Sequence, residues 1–122
     1  MDSSMANVEK RVREINLELH KASEEQLQTL QELAKQEQGE KDLFEINKKS
    51  NHLFEHLLYT WNKDRELFHY LEEEQSKLEY EKQKIMNSME NKRKDLTQKS
   101  RRLNKLEDNL YNQLRSLEWE GK

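Results

Sequence analysis

LFEHLLYTWNKDRELFHYLEEE, residues 53–74, lies at the middle of a 122-residue chain and decides how the rest is read. Apolar side chains recur on both sides of Trp61-Asn62-Lys63-Asp64 at the three- and four-residue steps of a helix with one buried stripe. Asn62 or Asp64 can cap a following helix, which makes this tetrapeptide the best place for the chain to reverse. If it reverses there, paired residues have numbers adding to about 124 or 125, as in an αα-hairpin. Leu57 then faces Phe68, Leu53 faces Leu71 and Ile46 faces Leu78. Further out, Leu19 faces Leu106, Ile15 faces Leu110 and Val8 faces Leu117. The polar stretch from Glu32 to Glu40 falls opposite the polar stretch from Lys84 to Lys94. A reversal at Gly39 would leave the apolar stripe from Leu78 to Leu117 without a partner.

Composition supports long helices. Charged residues make up 39% of the chain and apolar residues 32%, with no proline, two glycines and a net charge of -3. A compact domain has nearer half its residues apolar and about a quarter charged. Leu, Glu, Lys and Gln dominate, all strong helix formers, whereas disordered chains are rich in proline and glycine. The reading is an all-α fold, a single coiled-coil-like antiparallel two-helix hairpin over 1–122. Helix 1 runs over about 4–60 and helix 2 over about 65–118, giving a length of roughly 85 Å at about 1.5 Å per residue. Two alternatives stay open: an unbroken helix of roughly 180 Å pairing as a dimer, and a compact three- or four-helix bundle, which would need breaks that the sequence does not supply.

The apolar stripe of helix 1 runs Met5, Val8, Val12, Ile15, Leu19, Ala22, then slips to Leu27, Leu30 and Ala34 before resuming at Leu43, Ile46, Leu53 and Leu57. Gly39 marks the weakest stretch, where a kink or fraying is expected. Helix 2 holds a heptad pattern. Its first track is Phe68, Gln75, Lys82, Met89, Leu96, Leu103, Leu110 and Leu117. Its second is Leu71, Leu78, Ile85, Lys92, Lys99, Leu106 and Gln113. The expected seam therefore centres on Leu53, Leu57, Phe68, Leu71, Leu78, Leu103, Leu106 and Leu110, with Lys82, Lys92 and Lys99 weakening its middle. Beside it stand Leu30, Phe44, Leu58, Leu67, Met86, Tyr111, Leu114 and Trp119, a second apolar strip expected to meet a protein partner.

Catalysis is not expected. His52-Leu53-Phe54-Glu55-His56 matches the H-x-x-E-H pattern of zinc peptidases, but Leu53 and Leu57 read as the buried stripe, so both histidines face solvent. Two paired helices offer neither a third ligand nor a water-excluding cleft. With no cysteine there is no thiolate metal site, and no cofactor is expected. The basic run from Lys92 to Arg102 is interleaved with Asp95 and lacks the aromatic residues that stack bases, so nucleic acid is not an expected ligand. No apolar run approaches the ~20 residues of a membrane span, and the first 20 residues lack a signal-peptide core. Synthesis and first residence in a cytoplasm, without membrane insertion, follow as the expectation.

The central segment and the later Leu103–Tyr111 stretch, LNKLEDNLY, carry a resemblance. A helical hairpin with tryptophan at its mid-chain turn resembles the WXG-type proteins of bacterial type VII secretion, with Lys63 here where their glycine stands. From Asn51 to Leu114 the chain is more specifically similar to the small α-helical proteins associated with LXG effectors, the Lap proteins. The resemblance implies a chaperone-like targeting partner. Such a protein binds the helical domain of a secreted effector, often beside a second small helical protein, and can leave the cell with it without a signal peptide. The export signal of those systems, an aromatic residue followed four places later by an acid near the end of the second helix, is not matched, since Arg115 follows Tyr111. Tyr70 and Glu74 have the spacing but lie beside the turn, and Trp119-Glu120-Gly121 is misplaced for a turn motif. A generic coiled-coil scaffold or dimerisation subunit is the alternative reading.

Overall fold

In the computed structural model, which describes residues 2–120 and the side chains of 4–119, the chain forms a helical hairpin of two helices packed against each other. Helix α1 spans Asp2–Thr60 and helix α2 spans Arg65–Glu120, and no strand occurs among the described residues. The ends of the expected single domain, Met1, Gly121 and Lys122, lie outside them.

The reversal occupies Trp61 to Asp64, as the fold reading placed it. The Trp61 amide donates to the Leu57 carbonyl at 3.0 Å and closes α1, and the Asp64 amide donates to the Trp61 carbonyl at 3.1 Å. Asp64, not Asn62, caps α2. Its carboxylate accepts from the Leu67 amide at 3.2 Å, which satisfies one of the donors left open at a helix N-terminus. Glu66 in the same first turn adds a negative charge where the helix dipole favours one.

The seam side of α1 holds one register from end to end, and here the sequence reading is corrected. Val8, Val12, Ile15, Leu19, Ala22, Gln26, Thr29, Leu33, Gln36, Glu40, Leu43, Asn47, Ser50, Phe54 and Leu57 are all buried or half-buried. They follow strict steps of four and three, which keep one face towards α2. The stripe looked displaced because Gln26, Thr29, Gln36, Glu40, Asn47 and Ser50 fill seam positions. Leu27, Leu30, Ala34, Ile46 and Leu53 stand outside it, Leu53 with 57% of its surface exposed. Helix α1 continues through Gly39, which is helical without a left-handed backbone angle.

Packing divides the chain into two compact units. The terminal unit combines Met1–Leu33 with Asp95–Lys122. Its core is Ile15, Leu19 and Leu110, with Leu114 and Leu117 against it, and Ala22, Leu96 and Leu103 are buried further along. Leu110, at 2% exposure, is among the most enclosed side chains. On α2 the second track lies one residue later than expected, at Ser100, Glu107 and Leu114, so Lys99 and Leu106 turn outward. Leu114, read as part of the partner strip, is thereby drawn into the hairpin core. Side-chain amides fix the pairing. The Arg11 guanidinium donates to Gln113 Oε1 at 2.8 Å, and Gln26 Nε2 donates to Ser100 Oγ at 2.9 Å and Asn104 Oδ1 at 3.0 Å.

The turn-proximal unit, Ala34–Lys94, is packed differently. Leu71 is its one apolar residue buried among the described residues; Leu57, Leu67 and Phe68 are half-buried, and Leu78 is exposed. Lys82 lies in the seam at 7% exposure, its ammonium donating to Asn51 Oδ1 and Glu79 Oε1, both at 3.4 Å. Lys92, expected beside it, is exposed. Gln36 Nε2 donates to the Met89 carbonyl at 2.9 Å, and Arg93 pairs with Glu40 at 3.1 Å. Polar contacts thus do much of the work that leucines do in the terminal unit.

Candidate partner-binding surface

A helix pair offers chemistry only through what it leaves uncovered, and the turn-proximal unit leaves much uncovered. Phe44 is 71% exposed and Ile46 61%, and Leu53, Ile85 and Met86 also face outward. Because Asn47, Ser50, Gln75 and Lys82 take seam positions, aliphatic and aromatic residues one or a few places away are turned out of the hairpin. Scattered exposed apolar residues are ordinary, whereas a concentration of them marks an interaction surface.

The expected partner strip divides three ways. Leu30, Phe44, Met86, Tyr111 and Trp119 are exposed, Leu58 and Leu67 are half-buried, and Leu114 packs inward. The periodicity could not separate Leu114 from the rest, because it lies beside both candidate tracks. Ile46, Leu53 and Ile85 were missed as surface residues for the opposite reason. They look like seam leucines until the polar occupants of the seam are known. Trp61, at the turn, is exposed in part.

Phe44 and Met86 border a groove of about 300 Å³ within the turn-proximal unit, floored by Leu43, Asn47 and Met89 and rimmed by Glu40, Glu90 and Arg93. Methionines suit such a surface, since their flexible thioethers adapt to different partner shapes. Asn47 Oδ1 lies buried beside the groove with no hydrogen-bond partner in the protein.

The peptidase-like pattern is laid out on the surface. His52 and His56 are both exposed on α1, and Thr60 donates to the His56 carbonyl at 2.8 Å. Among the described residues no group of three or more His, Cys, Asp or Glu side chains converges as a metal site. In the basic run, Lys94 pairs with Glu90 at 3.4 Å, while Lys92, Lys99, Arg101 and Arg102 are exposed. Surface pairs of this kind contribute about 0–1 kcal/mol each. Among the described residues no helix is long and apolar enough to cross a membrane.

A comparison with curated proteins finds no match, and a comparison with solved structures finds none either. Residues 10–117 match the model of one protein family, and the chain accordingly belongs to DUF3958, described as a protein of unknown function.

Proposed function

We propose that this chain is a non-catalytic helical partner that binds the helical domain of a secreted effector and helps its export by a type VII route. The observation that carries the reading is the inversion in the turn-proximal unit, with polar residues Asn47, Ser50 and Lys82 in the seam and Phe44, Ile46, Leu53 and Met86 outside it. Such a unit gains stability when another helix covers its apolar residues, at about 25 cal/mol per Å² removed from water. The resemblance of the central segment to Lap proteins supports a secreted effector as that partner. A second small helical protein completes the complex, which forms in the cytoplasm and leaves with its cargo by a signal-peptide-independent path. Trp61 to Asp64 hold the reversal that presents both helices to that partner.

Co-expression with the helical domain of an effector encoded beside this chain tests the reading. A stable complex is expected, lost on changing Phe44 and Met86 together to glutamate, and deletion of the chain is expected to block export of that effector. A full-length effector secreted at normal levels without the chain would overturn the proposal.

A further inference from the structure

We propose that the outer face of α2 in the terminal unit docks a short acidic helix of another protein, with Lys99, Arg101, Arg102 and Lys105 as its cationic contacts. Four lysines earlier on this helix are paired within it. Lys77, Lys82, Lys84 and Lys94 each hold a glutamate three or four residues back, at 3.4 to 3.9 Å. The cations of residues 99–105 break that pattern. None of the four forms an ion pair with a described residue, and all four are exposed. Arg101 and Arg102 have no acidic residue three or four places away in either direction. Like charges stand at those spacings instead, Lys99 with Arg102, Arg101 with Lys105 and Arg102 with Lys105, where they destabilise a free helix. A row of carboxylates laid along this face turns that repulsion into attraction.

The surroundings of the four cations select the occupant. Leu96, Ser100, Leu103 and Glu107 face α1, so at about 3.6 residues per turn Arg101, Arg102 and Lys105 point away from it. Lys99 stands on the flank, in one heptad track with Leu106, an exposed leucine one turn beyond Arg102. The face therefore offers cations around an apolar anchor, which suits a helix carrying acidic residues beside one apolar side chain. A phosphate backbone has no use for the leucine, and residues 99–105 include no aromatic side chain to stack bases. An anionic bilayer fits no better. On α1, Glu18, Glu25 and Glu32 recur at seven-residue intervals in the track of Arg11, whose bond to Gln113 sets it on the flank that Lys99 and Leu106 share. A broad negative surface laid on the cations meets those carboxylates, whereas a single helix lying along α2 avoids them. The cations extend over about 9 Å of helix, so the contact is weak alone and sensitive to salt. This docking face is distinct from the Phe44–Met86 groove and does not depend on the export reading.

Fluorescence anisotropy with the full chain tests this, using a labelled alanine-based helical peptide in which one leucine is flanked by four glutamates. Binding is expected at low salt and should weaken roughly tenfold or more at high salt. The same peptide with glutamines in place of glutamates should bind about tenfold more weakly or worse. Changing Lys99, Arg101, Arg102 and Lys105 together to glutamate should abolish binding of the acidic peptide and create binding of its lysine counterpart, a gain that an unfolded chain does not produce. A control of equal net charge, with Lys10, Arg13, Lys48 and Lys49 changed to glutamate, alters exposed cations elsewhere. It should keep the acidic peptide within about threefold of the unchanged chain at moderate salt. Leu106→Ala should weaken binding while leaving the helical circular dichroism unchanged. No binding at low salt, equal binding of the glutamine peptide, or equal losses in the two four-residue variants would each overturn the proposal. Tighter binding of a DNA duplex or of phosphatidylserine vesicles through the same four residues would overturn it as well.

Discussion

Replacing Leu110 with alanine, beside the same change at Leu106, separates the observed register from the one that periodicity suggests. The two leucines lie one helical turn apart on α2 and fit seam tracks equally well by sequence. Leu110 is 2% exposed and packs with Ile15 and Leu19, whereas Leu106 is exposed. Truncating an enclosed leucine removes its transfer free energy and leaves a cavity, together about 2–5 kcal/mol. The Ile15 cluster is small and open at its edges, so partial collapse puts the expected cost near 3 kcal/mol, in the lower half of that range. At about 2.1 cal/mol/K per residue, the entropy of unfolding a chain of 122 residues is roughly 0.26 kcal/mol/K, and 3 kcal/mol lowers the melting temperature by about 12 °C. Leu106→Ala changes little buried surface and should stay within about 0.5 kcal/mol, or about 2 °C. Thermal and guanidinium unfolding followed by circular dichroism measure both. Equal losses at the two positions, or a larger loss at Leu106, would refute the register and the core built on it.

Three further changes probe separate features. Gly39→Ala should raise stability by about 0.5–1 kcal/mol, because the added methyl meets only Met89 Cε at 3.8 Å, ordinary contact distance; a loss in denaturant midpoint would mean that α1 is not regular there. Asp64→Ala should cost about 1 kcal/mol by removing the cap on the Leu67 amide, whereas Asn62→Ala should cost much less, and the reverse order in a melting experiment would place the cap elsewhere. Lys82→Met should stabilise by about 1 kcal/mol or more, since it exchanges a desolvated ammonium held by two 3.4 Å contacts for an apolar side chain of similar volume. Asn51, left behind, is exposed and can turn to water; a destabilised variant would show that those contacts outweigh the desolvation of the charge.

The sequence by itself determined the helical character of both halves and the best place for a reversal, while leaving one unbroken helix open. Helix-forming composition, the absence of proline and a polar tetrapeptide at mid-chain act locally, through propensity and capping, and need no partner to be read. Only the tertiary structure decided which residues face inward. Gln26, Thr29, Gln36, Asn47 and Ser50 carry no apolar signal, yet they occupy seam positions because an unbroken helix cannot skip a turn of its own register. Leu27, Leu30, Ile46 and Leu53 carry that signal strongly and stand outside. Hydrophobic burial in a two-helix seam is a property of the pair, and a side chain at its edge turns in or out according to what the opposing helix presents. Leu114 went inward because Ile15 and Leu19 offered it a surface, and Phe44 stayed outside because the seam position beside it belongs to Leu43.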